Sequence, residues 1–250
     1  MKGFISIIFL ILVLTVGLFA QSARVKPSPT PNNSEDWRLN YGNFDLPESE
    51  RMYVEANDYA KKKFAEFNEK KISFNEALRL KTLNEQKQLA AKYASTIATW
   101  KDIKNEDFYY WGMLHWIAEN RDGAEETLKK YLLTENPNPE KAQTARGVVV
   151  MVTARKKSFE DAEKYLAQYL ANTPVKPREK SEMINELANS YLSAKEYDRA
   201  IEHAKEAYHL VKTLFPQQTS RARALAEVLD RGQTVIEIYK QSGNQEKADA

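Results

Sequence analysis

The chain has 250 residues, 42% hydrophobic and 29% charged, so it is too apolar to be mostly disordered and long enough for one large domain or a short array. Lys and Arg number 37 against 35 Asp and Glu, and a net charge of +2 offers no basic field for nucleic acid or an acidic substrate. The absence of Cys removes disulfides, thiolate zinc sites, Cys nucleophiles and a lipid-modified N-terminal Cys together.

Met1-Lys2 precedes an uncharged apolar stretch from Gly3 to Ala20, followed by Gln21-Ser22-Ala23. A basic start, an apolar core and a small-residue exit have the layout of a secretory signal peptide over residues 1–23, with Ala20, Ser22 and Ala23 all suitable for cleavage. The alternative is an uncleaved anchor formed by residues 3–20. Either way the rest of the chain is expected outside the cytoplasm, periplasmic or secreted. Residues 24–47 carry Pro27, Pro29 and Pro31 and read as an extended, flexible tether. Trp37, Leu39, Tyr41 and Phe44 are more apolar than a spacer requires and are placed to fold back onto the first helix.

From residue 48 onward apolar residues recur at helical spacing, and no stretch alternates as a strand would. A first helix presents Met52, Ala56, Tyr59, Ala60, Phe64 and Phe67 on one face. A second starts from a capping box of Ser73 and Glu76, with Ile72 placed to staple onto Ala77. Its buried stripe is Leu80, Leu83, Ala90, Ala94 and Ile97. Similar start signals follow at Asp122 with Glu125 and at Ser158 with Asp161. A last helix, from about Thr219 to Gln241, is expected to bury Leu225, Val228, Leu229, Val235, Ile236 and Tyr239. It would show Arg221, Arg223, Glu227, Asp230 and Arg231 to water.

The segment from Ala124 to Leu132 aligns with that from Ala162 to Leu170, and a third copy begins at Ala200, so the alanines recur at intervals of 38 residues. A fourth turn, from Tyr239 to Ala248, follows after 48. A small residue early in the second helix of a hairpin lets its backbone approach the first helix, and an aromatic near the end of the first helix fills the gap to the next unit. Leu187-Ala188, Tyr191, Tyr197 and Ala200 carry this pattern most fully. Trp111-Gly112 with Ala124 fits the same frame, as do Val149-Val150, Phe159, Ala162 and Pro174. In these residues the chain resembles the tetratricopeptide repeat (TPR) family. The usual unit is about 34 residues, so these carry insertions, and His115 and Thr153 stand where the family favours Tyr.

The resemblance implies an all-α fold, a right-handed superhelix of stacked antiparallel helix pairs. Residues 101–250 would hold three repeats and a C-terminal capping helix. Residues 48–100 would be an N-terminal helical hairpin, or a degenerate repeat marked by Phe64-Ala65, Phe74 and Ala77. It also implies a groove lined by first helices, with Tyr109, Tyr110, Met113 and Trp116 from one unit, Val148, Met151 and Arg155 from the next, and Asn185, Asn189 and Leu192 from the third. The alternative for Tyr109, Tyr110 and Trp116 is packing against the preceding helix. Only Arg155 is basic among these, so the family's clamp for a terminal carboxylate is not expected.

No metalloprotease, nucleophile-elbow or phosphate-loop motif is present. His203 and His209, six residues apart, fall on different helix faces and do not pair as metal ligands. His115 is expected to pack between helices with one ring nitrogen satisfied. Lys61-Lys62-Lys63 and Lys70-Lys71 read as a solvated helix face. The expected function is therefore a non-catalytic scaffold that binds a peptide segment or helix of an envelope protein. It needs no cofactor and no nucleic acid, meets a membrane only through an uncleaved N-terminal segment, and is compatible with self-association. The rivals are an α-helical hydrolase or lyase acting on envelope polymers through a cleft carboxylate, and a self-assembling structural component.

Overall fold

Short polar side chains and prolines set most helix starts. The computed structural model describes residues 46–249 apart from residues 74, 218 and 219, and every described element is helical. The signal segment, the Pro-rich tether with Trp37, Leu39, Tyr41 and Phe44, and Phe74 lie outside the described residues. Ten α-helices follow one another: α1 (Glu48–Glu69), α2 (Glu76–Ile97), α3 (Glu106–Ile117), α4 (Arg121–Leu132), α5 (Pro139–Arg155), α6 (Phe159–Ala171), α7 (Pro177–Ser193), α8 (Tyr197–Leu214), α9 (Arg221–Gln241) and α10 (Gln245–Asp249). The all-α expectation holds. Contacts divide the chain into two compact units, up to Asn120 and from Arg121.

In the first unit, α1, α2 and α3 pack around Ala56, Ala90, Ala94, Ile97, Leu114 and Ile117. Alanines let α1 and α2 approach closely, and Gln86 Nε2 reaches across to donate to the carbonyls of Ala56 and Asn57. Ser49 Oγ donates to Asp107 Oδ1 at 2.6 Å, pinning α1 to α3. Two expectations are corrected here. Asn75, not Ser73, caps α2, its side chain accepting from the Leu78 N–H. Leu80 is 54% and Ile72 44% exposed, so the buried stripe begins at Leu83 and the staple is absent. Ala77 and Glu76 are both exposed, so the close approach in this hairpin rests on Ala56, Ala90 and Ala94 and not on a small residue at the start of its second helix.

In the second unit, helices pack in sequence order, α5 with α6, α7 with α8 and α9 with α10, while α5 and α7 touch directly. Asn138 caps α5 by accepting from Lys141 N–H, with Pro139 where the missing N–H costs nothing. Ala124, Ala162 and Ala200 are all fully buried. Each follows a turn whose fifth preceding residue is left-handed: Glu119 at φ 59°, Lys157 at 60° and Lys195 at 65°, with Gly243 at 78° ahead of Ala248. At each turn an N–H bonds back five residues, from Asn120 to His115, Ser158 to Thr153, Glu196 to Tyr191 and Asn244 to Tyr239. Tyr131 and Tyr169, 38 apart and fully buried, each donate to the carbonyl seven residues on, of Asn138 and Lys176. In the α5–α6 and α7–α8 pairs the recurrence in sequence is thus a recurrence of turn and crossing. Ser158 precedes α6 but makes no side-chain cap.

Helix α9 departs furthest from expectation. It starts at Arg221 with Ser220 as its cap, not at Thr219, which lies outside the described residues. Leu225, Leu229 and Ile236 are 50%, 63% and 40% exposed, while Arg231 is buried at 3%. The face that meets α7 and α8 is turned toward Ala224, Arg231 and Ile238, so of the expected stripe Val228, Val235 and Tyr239 are half-buried at its edge while Leu225, Leu229 and Ile236 are left open.

Candidate partner-binding face

Helices α5, α7 and α9 are the first members of their pairs, and within the second unit ion pairs join them. Arg155 grips Glu186 with two parallel bonds, Nε to Oε1 at 2.9 Å and Nη2 to Oε2 at 2.8 Å. Arg178 pairs with Glu227, and Arg231 binds both Glu182, at 3.0 Å, and Asp230, at 2.5 Å. Sequence reading missed this ladder. Its signal was available: Arg178 and Glu182 face opposite charges at a constant offset of 49, in Glu227 and Arg231. Burial pushes the Glu182 carboxyl above its ordinary value, and Arg231 and Arg178 offset this only in part.

Of the expected groove residues, Tyr109, Tyr110, Met113 and Trp116 on α3 are 3–7% exposed, and Val148 and Met151 on α5 are each 4% exposed. In the first unit the Tyr109 and Tyr110 rings lie 6.4 and 5.6 Å from Tyr53, so the two tyrosines pack against α1, two helices back in the chain. Burial lifts the Tyr53 phenol to about 12. Between Ala145 and Ala154 the only residue of α5 not fully buried is Arg146. Such all-round burial fits a helix that is apolar on every side. Gly147 belongs to this packing: a Cβ there would meet Met183 Sδ at 3.4 Å. What remains accessible is on α7. Asn185, Asn189 and Leu192 share one helix face; Asn185 and Leu192 are half-buried and Asn189 is exposed. Asn185 Oδ1 is shielded from water and has no hydrogen-bond partner.

A second set of charges lies along the turns between first and second helices. Lys156 donates to Asp122 at 2.6 Å and Glu125 at 2.8 Å, and Lys129 to Glu125 at 2.7 Å and Asp161 at 2.9 Å. Burial pushes Glu125 up, but the bonds from Lys129 and Lys156 more than reverse it and leave its pKa lowered. Asp161 is lowered mainly by its bond from Lys129. One repeat on, Glu163 binds His203 Nε2 at 2.9 Å and the Tyr191 hydroxyl at 3.0 Å. Tyr191 is stacked between Phe159 and His203, so this histidine is a structural element of the second unit. His115 meets Asn120 through Nδ1 at 3.0 Å. Among the described residues no group of three or more His, Asp and Glu side chains is arranged to hold a metal ion. No described helix is long and apolar enough to cross a membrane.

No protein-family model matches the sequence, and no curated protein matches it. Solved structures do resemble it. BtubC (BKLC) from P. vanneervenii is 15% identical, with a TM-score of 0.47 over 82% of this chain and 88% of that one. A protein of Podosopora anserina described as a kinesin light chain with nearly identical TPR-like repeats is 13% identical, with a TM-score of 0.50 over 82% of this chain and 92% of that one. The second likeness shows the fold, a TPR-like array of helix pairs.

Proposed function

We propose that this protein is an exported, non-catalytic interaction scaffold whose α7 face, around Asn185, Asn189 and Leu192, binds an extended peptide segment of another envelope protein. Helical-repeat folds present such faces to partners. The observation that carries the reading is the shared α7 face of exposed Asn189, half-buried Leu192 and half-buried Asn185. Asn189 beside it can donate and accept along a backbone without reading its side chains, and Leu192 supplies an apolar anchor. Arg155, already held by Glu186, positions the helices and is not offered to a partner. Within the second unit the buried helix α5 packs against α7 and supports the face from beneath.

Affinity capture from the envelope fraction, with the partner identified by mass spectrometry, tests this with wild type and an Asn185→Ala/Asn189→Ala variant. Urea midpoints of both proteins, measured alongside, separate loss of the face from loss of the fold. Equal recovery by both proteins would overturn the assignment. Export rests on the N-terminal segment; sequencing the mature chain's N-terminus distinguishes removal after Ala20, Ser22 or Ala23 from an intact anchor.

A further inference from the structure

Leu225, Leu229 and Ile236 fall on one strip of α9, since residues four and seven apart share a helix face. Exposed Ala222 and Ala226 widen the strip. Register against the inner pairs shows what the strip is. Positions 143, 181 and 229 stand the same distance ahead of Ala162, Ala200 and Ala248, as do positions 150, 188 and 236. Gln143, Ser181, Val150 and Ala188 are at most 1% exposed, against 63% for Leu229 and 40% for Ile236. Gln143 donates to the Tyr169 carbonyl and Ser181 to the Ala207 carbonyl, both late in the second helix of their own pair. In α9 the same positions carry large apolar side chains and are open.

We propose that a second copy of this chain covers the strip, α9 packing antiparallel on α9 of the partner about a two-fold axis at Leu229. Helices joined by short turns run antiparallel, so the covering element this position takes in the inner pairs is an antiparallel helix. Helix α9 is itself an amphipathic helix of the required kind, and its strip complements itself. With Leu229 on the axis, small Ala222 lies opposite Ile236 of the partner subunit, and Leu225 opposite Gln233 of the partner subunit. A recess of about 220 Å³ lined by Lys212, Phe215, Leu225 and Val228 opens beside the end where Ile236 of the partner subunit arrives. The charges select the direction. Arg223, which also meets Glu227 at 3.7 Å, and Glu237 lie on the same flank at opposite ends of the strip, so antiparallel pairing brings these unlike charges together, whereas parallel pairing carries the two copies of that flank to opposite sides of the contact. Asp230, near the axis, is taken up by Arg231. A self-complementary patch of this kind gives a closed isologous dimer and not an open chain.

The chain contains no Cys, so single cysteines report only themselves. In the full chain, kept in mild detergent and mildly oxidised, Leu229→Cys forms a disulfide-linked dimer well above an Arg199→Cys control. Ala222→Cys and Ile236→Cys do not cross-link alone but do so when mixed. A Leu225→Glu/Leu229→Glu variant, its helix content unchanged by circular dichroism, scatters light as a smaller particle than wild type. No excess of cross-linking at 229 over the control overturns the dimer. Self-cross-linking of both 222 and 236 overturns the antiparallel arrangement.

Discussion

The pairs α7–α8 and α9–α10 are written in the same frame yet end differently. Each has a tyrosine, a left-handed residue and a buried alanine in the same order, at Tyr191, Lys195 and Ala200 and at Tyr239, Gly243 and Ala248. In the first pair the alanine is fully buried and its first helix is covered at Ser181 and Ala188; in the second the alanine is 8% exposed and the matching Leu229 and Ile236 are open. Periodicity therefore specifies which residues share a helix face, while burial is conferred by neighbours. An apolar strip marks a place where a neighbour belongs and does not guarantee one within the same chain.

Overpacking the crossing alanines should separate the pairs most. Ala200→Leu is expected to lose about 3 kcal/mol, because the helices cannot move apart without breaking the next contact. Ala248→Leu should lose less than about 1 kcal/mol, the site being at an open edge. Urea midpoints at constant slope measure both, and equal losses would remove the distinction between inner and outer pairs. The next effect is at positions 143 and 229. Gln143 Nε2 donates to the carbonyls of Tyr169, Asn172 and Pro174, so Gln143→Leu should cost about 2 kcal/mol by stranding them. Leu229→Gln, the reverse exchange at the matching place, should leave the denaturation midpoint of the monomer nearly unchanged.

The turns sharpen the comparison further. Lys195 sits at φ 65° where the outer turn has Gly243 at 78°. Lys195→Gly should gain roughly 1 kcal/mol by relieving a left-handed side chain, and Gly243→Ala should lose a similar amount. Thermal melts of the two variants moving in the same direction would refute the equivalence of the turns.

The smallest effect is on pH dependence. Glu125 and Asp161 have folded pKa values lowered by their lysines, so their contribution is present above the ordinary carboxylate range and is lost as pH falls through the lowered values. Glu182 is raised, so whatever it contributes is present in acid and lost as pH rises through its folded value. Glu125→Gln should flatten the acid limb of the stability curve, and Glu182→Gln should flatten the limb above it. Each change is expected to be less than about 1 kcal/mol because the groups remain partly solvated. Melting temperatures between pH 3 and pH 7 read both, and an unaltered acid limb in Glu125→Gln would count against the lysine clasp.

Much of the architecture was legible from residues alone, and the reason is steric. Where two helix backbones cross closely only a small side chain fits, so Ala162 and Ala200 recur with the crossings of α5 on α6 and α7 on α8. The helix starts were less legible, since Ser73 and Ser158 resemble caps while Asn75 and Ser220 make the bonds. Of the candidate face, Asn185, Asn189 and Leu192 are accessible, whereas the aromatic and apolar residues of α3 and α5 are not. Tyr, Trp and Met suit an interface and an interior equally well, and composition does not separate the two uses.

By itself the sequence determined the helical class, the interval between pairs and the small residues at their crossings, because these depend on chemistry local to one helix and its nearest neighbour. The tertiary structure decided which face of α9 is open, why Arg231 is buried against Glu182 and why Arg155 is held by Glu186. Those outcomes depend on the angle at which one pair stacks on the next, a property of several packed helices together that no single stretch of chain encodes.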